Sequence, residues 1–293
     1  MFDCLIAGEA NVDLLVDGVV KLELGKEKLA TGMDLVLGGS SAITAFNLAR
    51  LGTSVSFTGV IGQDSFGKFV EEKLLSAPVD LSGLRRTPRE KTGVTIWHSK
   101  DGRRAGVTYA GTIAMLRARD ISEQQLKAAR HLHVGAYFLL KQLHPGAPSL
   151  FAKARTLGLT TSVDCNYDPA EQWGSNLHAV LRNTDIFFPN QQEALKLTGL
   201  RKPEAAALEL AKLARVVVVK LGAQGVVVAT EGRTFSVPAV AVQAVDTTGA
   251  GDSFNAGFLS KFLRGAKLEA CARAGVQAGA RNVRNIGGTA AFE

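Results

Sequence analysis

The chain has 293 residues, 46% of them hydrophobic, enough to bury one large core and, on length alone, to form two domains. Its net charge of +7 comes from dispersed lysines and arginines, with no block of like charges and no basic stripe interleaved with aromatics, which argues against nucleic acid and leaves a bias toward small anionic ligands. No run approaches the roughly 18 apolar residues of a membrane span, "MFDCLIAGEAN" carries no basic leader, and Cys4, Cys165 and Cys271 lack CxxC spacing; a soluble protein of the reducing cytoplasm, without membrane partner, disulfide framework or zinc knuckle, is expected.

In chain order, the first strand candidate is "CLIAG" (4–8), followed by the polar cluster "GEANVD" (8–13). Residues 12–39 alternate in a hairpin-like way, as does "TGVTIWHSKDGRRAGVTYAG" (92–111), whose Asp101-Gly102 pair favours a type I′ turn. Together they predict a small antiparallel sheet inserted into a larger body. Between them, "LGGSSAITAFNLARLG" (37–52) reads as a helix opened by a Gly-Gly turn and serine and closed by Gly52. "TGVIGQDSFGKF" (58–69) fits G-x-x-x-x-G-K through Gly62, Gly67 and Lys68, but Phe69 stands where a P-loop needs a hydroxyl. It reads instead as a strand, a loop and a helix N-capped near Asp64.

From about residue 128 the rhythm is regular. "HLHVG" (131–135), "LTTSVD" (159–164), "DIFFPN" (185–190) and "RVVVVK" (215–220) are short and continuously apolar, and helix candidates at 146–158, 190–199 and 204–214 separate them. This predicts an α/β fold: a three-layer αβα body around a mainly parallel sheet, over 1–10, 38–91 and 111–293, with a β lid formed by 11–37 and 92–110. His131 and His133 share one strand face without a third ligand nearby and read as structural, and no G-x-S-x-G elbow nominates a nucleophile. The clusters "GEANVD", "DCNYD" (164–168), "PNQQE" (189–193) and "KLGAQG" (220–225) each stand at or just past the C-terminal end of a strand candidate, the ligand-binding edge of an open parallel sheet. With Asp252 they predict one long cleft.

The most concentrated signal is "VDTTGAGDSFNAGF" (245–258). The stretch 239–245 is strand-like, whereas Phe254, Gly257, Phe258 and Phe262 follow at helical spacing. Gly249 and Gly251 at such a junction let an anion approach the unpaired N–H groups of a helix N-terminus, and Asp252 beside them could take a proton from a hydroxyl. A dinucleotide fingerprint is excluded, because the third glycine, Gly257, comes six residues after Gly251. A capping aspartate among packing glycines is the structural alternative, which accounts for Asp252 but not for the Gly-Ala-Gly before it.

These motifs resemble, nearly end to end, the ribokinase-like carbohydrate kinases of the phosphofructokinase-B type. "DTTGAGDSFNAGF" matches the family's C-terminal signature and "GGSSAITAFNLARLG" its N-terminal one, with support from "NVD" (11–13), "GVIGQDSFG" (59–67), "DCN" (164–166), "PNQQE" and "KLGAQG". The resemblance implies ATP-dependent phosphorylation, with Asp252 as base and Gly249, Ala250 and Gly251 as anion hole. It implies an acceptor site made by Asn11, Asp13, Gly38, Gly39, Ile43 and Asn166, Asn190 and Glu193 organising Mg²⁺ and the ATP phosphates, and a nucleotide loop with Lys220, Gly222 and Gly225. Asn282 would lie in the helix flanking adenine, and Asp246 and Thr248 mark the loop where the family often binds a monovalent cation such as K⁺. Two departures concern the acceptor: Ile43 replaces the sugar-binding Asn of ribokinase-type members, and Asp168 replaces the usual Arg of 2-keto-3-deoxygluconate kinases. A small sugar phosphorylated on a primary hydroxyl is the leading expectation, a nucleoside of the adenosine type the first alternative, and a catalytically silent sugar- or nucleotide-binding regulator the second. Edges of the small sheet suggest a homodimer through the lid.

Overall fold

The computed structural model describes residues 1–18, 22–100, 103–174 and 176–293; the turn expected at 101–102 lies outside them. The chain lays down β1 (Cys4–Ala7), leaves the body for β2 (Asn11–Asp17) and β3 (Gly32–Gly38), and returns through α1 (Ser40–Arg50), β4 (Val55–Gly62), α2 (Ser65–Leu75) and β5 (Val79–Thr87). A second excursion forms β6 (Val94–Lys100) and β7 (Arg103–Tyr109). The body then continues with α3 (Glu123–Lys127), β8 (His131–Val134), α4 (Ala147–Thr156), β9 (Thr160–Val163), α5 (Asn176–Leu181), β10 (Ile186–Phe187), α6 (Gln191–Thr198) and α7 (Pro203–Leu210). It closes with β11 (Val216–Lys220), β12 (Val226–Thr230), β13 (Arg233–Val237), α8 (Ala250–Phe262) and α9 (Leu268–Asn282).

Among the described residues the body sheet runs β13-β12-β11-β10-β9-β8-β1-β4-β5, parallel from β5 to β11 and antiparallel at the β12 and β13 edge. Strand alternation sorts the core into two layers. Ile6, Val216 and Val218 pack with Phe46, Phe254 and Phe258 of α1 and α8. Leu5, Ala7, Val217 and Val219 pack on the other face with Phe151, Leu177 and Ala207 of α4, α5 and α7. Each fully buried side chain of this size contributes about 1.5–3 kcal/mol, so both faces of the sheet must stay covered. The two histidines complete the inner layers: both are fully buried, and both bond the Ser162 hydroxyl, His131 at 2.7 Å and His133 at 2.8 Å. Burial holds them neutral, pushing His131 down to about 3 and His133 to about 4.

Asp64 caps α2 as expected, its carboxylate accepting from the Gly67 amide at 2.8 Å. Three features differ from the sequence reading. The ladder in "DIFFPN" shrinks to Ile186–Phe187, where Pro189 can supply no N–H to extend it. The strand expected at 239–245 is an irregular connector; β13 already forms the sheet edge, and Val240, Val242 and Val245 stay exposed. The β12 and β13 hairpin takes that place, turning through Glu231 and Gly232, both with positive φ as a two-residue hairpin requires.

The lid is a four-stranded sheet in the order β3-β2-β6-β7. Its register aligns Val36, Asp13, Thr95 and Thr108 across one face and Leu35, Leu14, Ile96 and Val107 across the other. Asp13 and Thr95 are buried, whereas Leu35, Val107, Met33 and Tyr109 are exposed. The polar row thus looks inward, toward the edge of the body where the parallel strands end.

Candidate active site

The site begins where the lid joins the body. Gly38, opposite Asn11 in the lid ladder, leaves room that a Cβ would take from Asp13 Oδ1 and Asn11 Nδ2, at 2.3 and 2.6 Å. Asn11 in turn donates from Nδ2 to Asp13 Oδ1 at 3.1 Å. One residue past Gly39, which has φ +89°, α1 starts. Its second residue, Ser41, donates from its hydroxyl to Glu9 Oε2 at 2.8 Å and from its amide to Oε1 at 3.3 Å. Burial pushes the Glu9 carboxyl up to about 7 against these two bonds.

Above this junction lies the N-terminus of α8. Gly249 is its N-cap, with φ +70°, and a Cβ there would come within 2.5 Å of Gly288 Cα. Only glycine fits that turn. Ile43, 2% exposed, packs beneath it, its Cγ2 3.3 Å from where that Cβ would lie. The side chain therefore supports the glycine turn rather than walling an open pocket. Asp252 is the third residue of α8 and so is not its capping residue. Its carboxylate is half-buried, and the Ser40 hydroxyl favours its ionised form. Burial and the Asp164 charge, with a smaller push from Asp13, raise it to about 7 against the pull of Lys220.

The third part joins the ends of β9 and β11. Lys220 Nζ donates to Asp164 Oδ2 at 2.6 Å and to Asn255 Oδ1 at 3.4 Å. Asn255 Nδ2 donates to the same Asp164 oxygen at 2.6 Å. Burial opposes both charges, but their mutual attraction prevails: Asp164 is held below the ordinary carboxylate range and Lys220 above the ordinary lysine range. Asn166, next on this loop, is turned onto its own backbone, accepting from the Tyr167 amide at 2.9 Å.

Toward the β10 end, Asn190 and Glu193 form a reciprocal cap on α6. Asn190 Oδ1 accepts from the Glu193 amide at 2.9 Å, and Glu193 accepts from the Asn190 amide at 2.8 Å and from its Nδ2 at 2.6 Å. Burial, reinforced by Asp164, pushes Glu193 up to about 7. Gly222 borders open space and Gly225 sits tight against Val237, at the turn into β12. Asn282 is fully buried; its Nδ2 donates to the Thr248 carbonyl at 2.7 Å and its Oδ1 accepts from Ser253 at 3.0 Å. Asp246 accepts from the Thr248 amide and hydroxyl and from the Gly287 amide. Asn282 and Asp246 thus brace the loop that delivers Gly249.

The residues named from the sequence gather at one sheet edge, with Ile43 and Asn282 as supports beneath it. Sequence reasoning passed over Glu9, Asp164 and Asn255, all inside the quoted motifs. The available signal was electrostatic: Lys220 ends one strand and Asp164 follows another, two positions away in the sheet, so a buried cation needed that anion.

A small sheet closing over the glycine turn of a helix N-terminus, at the end of a mainly parallel αβα body, defines the ribokinase-like class. The model of the pfkB family of carbohydrate kinases matches residues 1–293, and the chain belongs to that family; it is a phosphotransferase of the group acting on sugars or nucleosides. It is 28% identical over 290 residues to a ribokinase of Haemophilus influenzae, covering 96% of this chain and 92% of the relative. It is 27% identical over 285 residues to a cytidine kinase of Thermococcus kodakarensis, covering 94% of each. Arabidopsis thaliana ribokinase, solved with ribose and ATP, superposes with a TM-score of 0.85 at 24% identity over 99% of this chain and 95% of that one; at that identity the likeness concerns the fold. Among the described residues no helix is long and apolar enough to cross a membrane.

Proposed function

We propose that the chain phosphorylates a primary hydroxyl of a small sugar with ATP, Asp252 acting as general base. The observation that carries this is the place of Asp252: a half-buried carboxylate raised to about 7, set between the lid carboxylate Asp13 and the glycine turn of α8. In the step, the acceptor oxygen attacks the γ-phosphorus, its proton passes to Asp252, and the bond from the γ-phosphorus to the bridging oxygen breaks to leave ADP. First-turn amides of α8 face the charge gathering on the phosphoryl oxygens, while the lid keeps water from competing. Asn11 and Asp13 would hold acceptor hydroxyls from the lid side. The boundary between body (1–10, 38–91, 111–293) and lid (11–37, 92–110) belongs to the same proposal.

ATP and Mg²⁺ suit the residues present. The glycine turn at Gly249 leaves room for a phosphate beside the first turn of α8, and the Glu193 carboxylate at the same edge is an oxygen ligand of the kind Mg²⁺ takes. Glu193, with Asn190, would hold Mg²⁺ through water, and the ion would neutralise phosphate charge. Asp246 and Thr248 would border K⁺.

The test is an ADP-release screen across hexoses, pentoses, sugar acids and nucleosides. A sugar should turn over fastest. Preference for a nucleoside, as in the cytidine kinase relative, would replace the acceptor class and keep the chemistry; ligand binding with no ADP release from any acceptor would establish a silent regulator. We further propose a homodimer through the lid, supported by the apolar row Leu35, Leu14, Ile96 and Val107, whose ends are exposed.

A further inference from the structure

Lys220 and Asp164 form a buried ion pair whose cation is 14% exposed and whose anion is 7% exposed. A pair of this kind adds little to stability by itself, because desolvation consumes most of the Coulomb gain. Its geometry is more telling. An ammonium has three donors, and here two of them are taken by Asp164 and Asn255. Gly251 also lies against the lysine: an added Cβ there would be 3.4 Å from Nζ, 3.9 Å from Cε and 4.0 Å from Cδ. The lysine thus lies along the first turn of α8, against the residue that precedes Asp252. Asn255, one helical turn beyond Gly251 on that helix, ties Asp164 and Lys220 to it.

We infer that Lys220 touches the phosphoryl group in transit, adding a full positive charge to the partial charge of the α8 amides, and that Asp164 and Asn255 are positioning residues that aim it. This rests on the kinase reading above. The lysine keeps all its protons throughout; its contribution is electrostatic and grows as charge shifts onto the phosphoryl and leaving oxygens. The competing account is that Lys220 only neutralises Asp164, leaving the phosphoryl to the amides and the metal.

Two variants separate the accounts. Lys220→Met strands the Asp164 carboxylate, whereas Lys220→Met combined with Asp164→Asn removes both charges as a neutral pair. With the best acceptor of the screen, both variants should lose on the order of 100-fold or more in kcat, the effect of removing one oxyanion donor. Affinity for MgADP, which lacks the transferring group, should stay within about threefold of wild type. Recovery of kcat in the double variant to within about fivefold of wild type would overturn the inference, since neutralisation would then be the lysine's whole task. Should the single variant fail to fold, the double variant answers alone; if it too fails, Lys220→Arg is read, with kcat equal to wild type overturning the inference and a drop of tenfold or more at unchanged MgADP affinity supporting it. A wild-type protein that turns over no acceptor would defeat the kinase reading instead.

Discussion

Asp252→Asn keeps the size of the side chain and removes its basicity, so it tests chemistry and electrostatics together. Removal of a positioned base costs about 10²–10⁴ in rate, and we expect phosphoryl transfer in a single turnover to fall by that factor while MgADP binding is retained. Wild-type transfer should rise with pH through about 7, because the base acts ionised and its carboxyl has been raised from 3.8 to about 7; about a tenth is ionised at pH 6. The sign for stability is opposite. A carboxyl raised on folding favours the protonated native state, so its contribution is fully present below the unfolded value near 3.8 and is lost as pH climbs through 7. Three units correspond to about 4 kcal/mol as a ceiling, and half-burial reduces this to about 1–2 kcal/mol. The neutral Asn variant should therefore melt about 2–3 °C above wild type at pH 8 and show no such gain at pH 4. Single-turnover quench-flow and calorimetry at both pH values measure the two effects. A variant within tenfold of wild-type transfer would remove Asp252 from the mechanism, and a melting gain equal at pH 4 and pH 8 would refute the electrostatic account of its environment.

Three further outcomes are expected. His133, pushed down to about 4 by burial, stabilises the native state fully above the unfolded value near 6.5 and progressively less as pH falls toward 4; the stability of wild type relative to His133→Gln should drop by about 2 kcal/mol from pH 7 to pH 5 in urea titrations, and a constant difference would contradict it. Gly249→Ala forces a positive φ on an L-residue and a Cβ to 2.5 Å from Gly288 Cα; we expect a loss of about 1–3 kcal/mol with a fall in kcat larger than any change in acceptor KM, and unchanged kinetics would show that the turn is no anion hole. Leu35→Glu with Val107→Glu on the outer lid face should give monomers in sedimentation velocity at concentrations where wild type is dimeric, and a monomeric wild type would end the dimer proposal.

The body was legible in the sequence because its strands are buried on both faces: "RVVVVK" and "HLHVG" have nowhere else to go in a domain of this size. The lid was legible from alternation, since Asp13 and Leu14 must face opposite ways. Residues 239–245 misled because alternating valines carry the same pattern whether or not a neighbouring strand exists, and strand pairing is a property of the whole sheet. In the site, the glycine turn and Asp252 could be found locally. Glu9 and Asp164 could not, because a buried carboxylate is defined by the partner that comes to it, Ser41 from 32 residues away and Lys220 from 56. Ile43 shows the reverse: read as an acceptor contact through resemblance, it is a floor plate under Gly249.

The junction of lid and body carries a mechanical consequence. Lid strand β3 ends at Gly38, α1 begins at Ser40, and a single glycine with positive φ separates them. The Ser40 hydroxyl favours the ionised form of Asp252, and Ser41 is bolted to Glu9. A turn of the lid about Gly39 would act first on Ser40 and Ser41, the opening residues of α1. On the proposed function, cover and base would then share one hinge, so that a substitution at Gly39 would be felt at both.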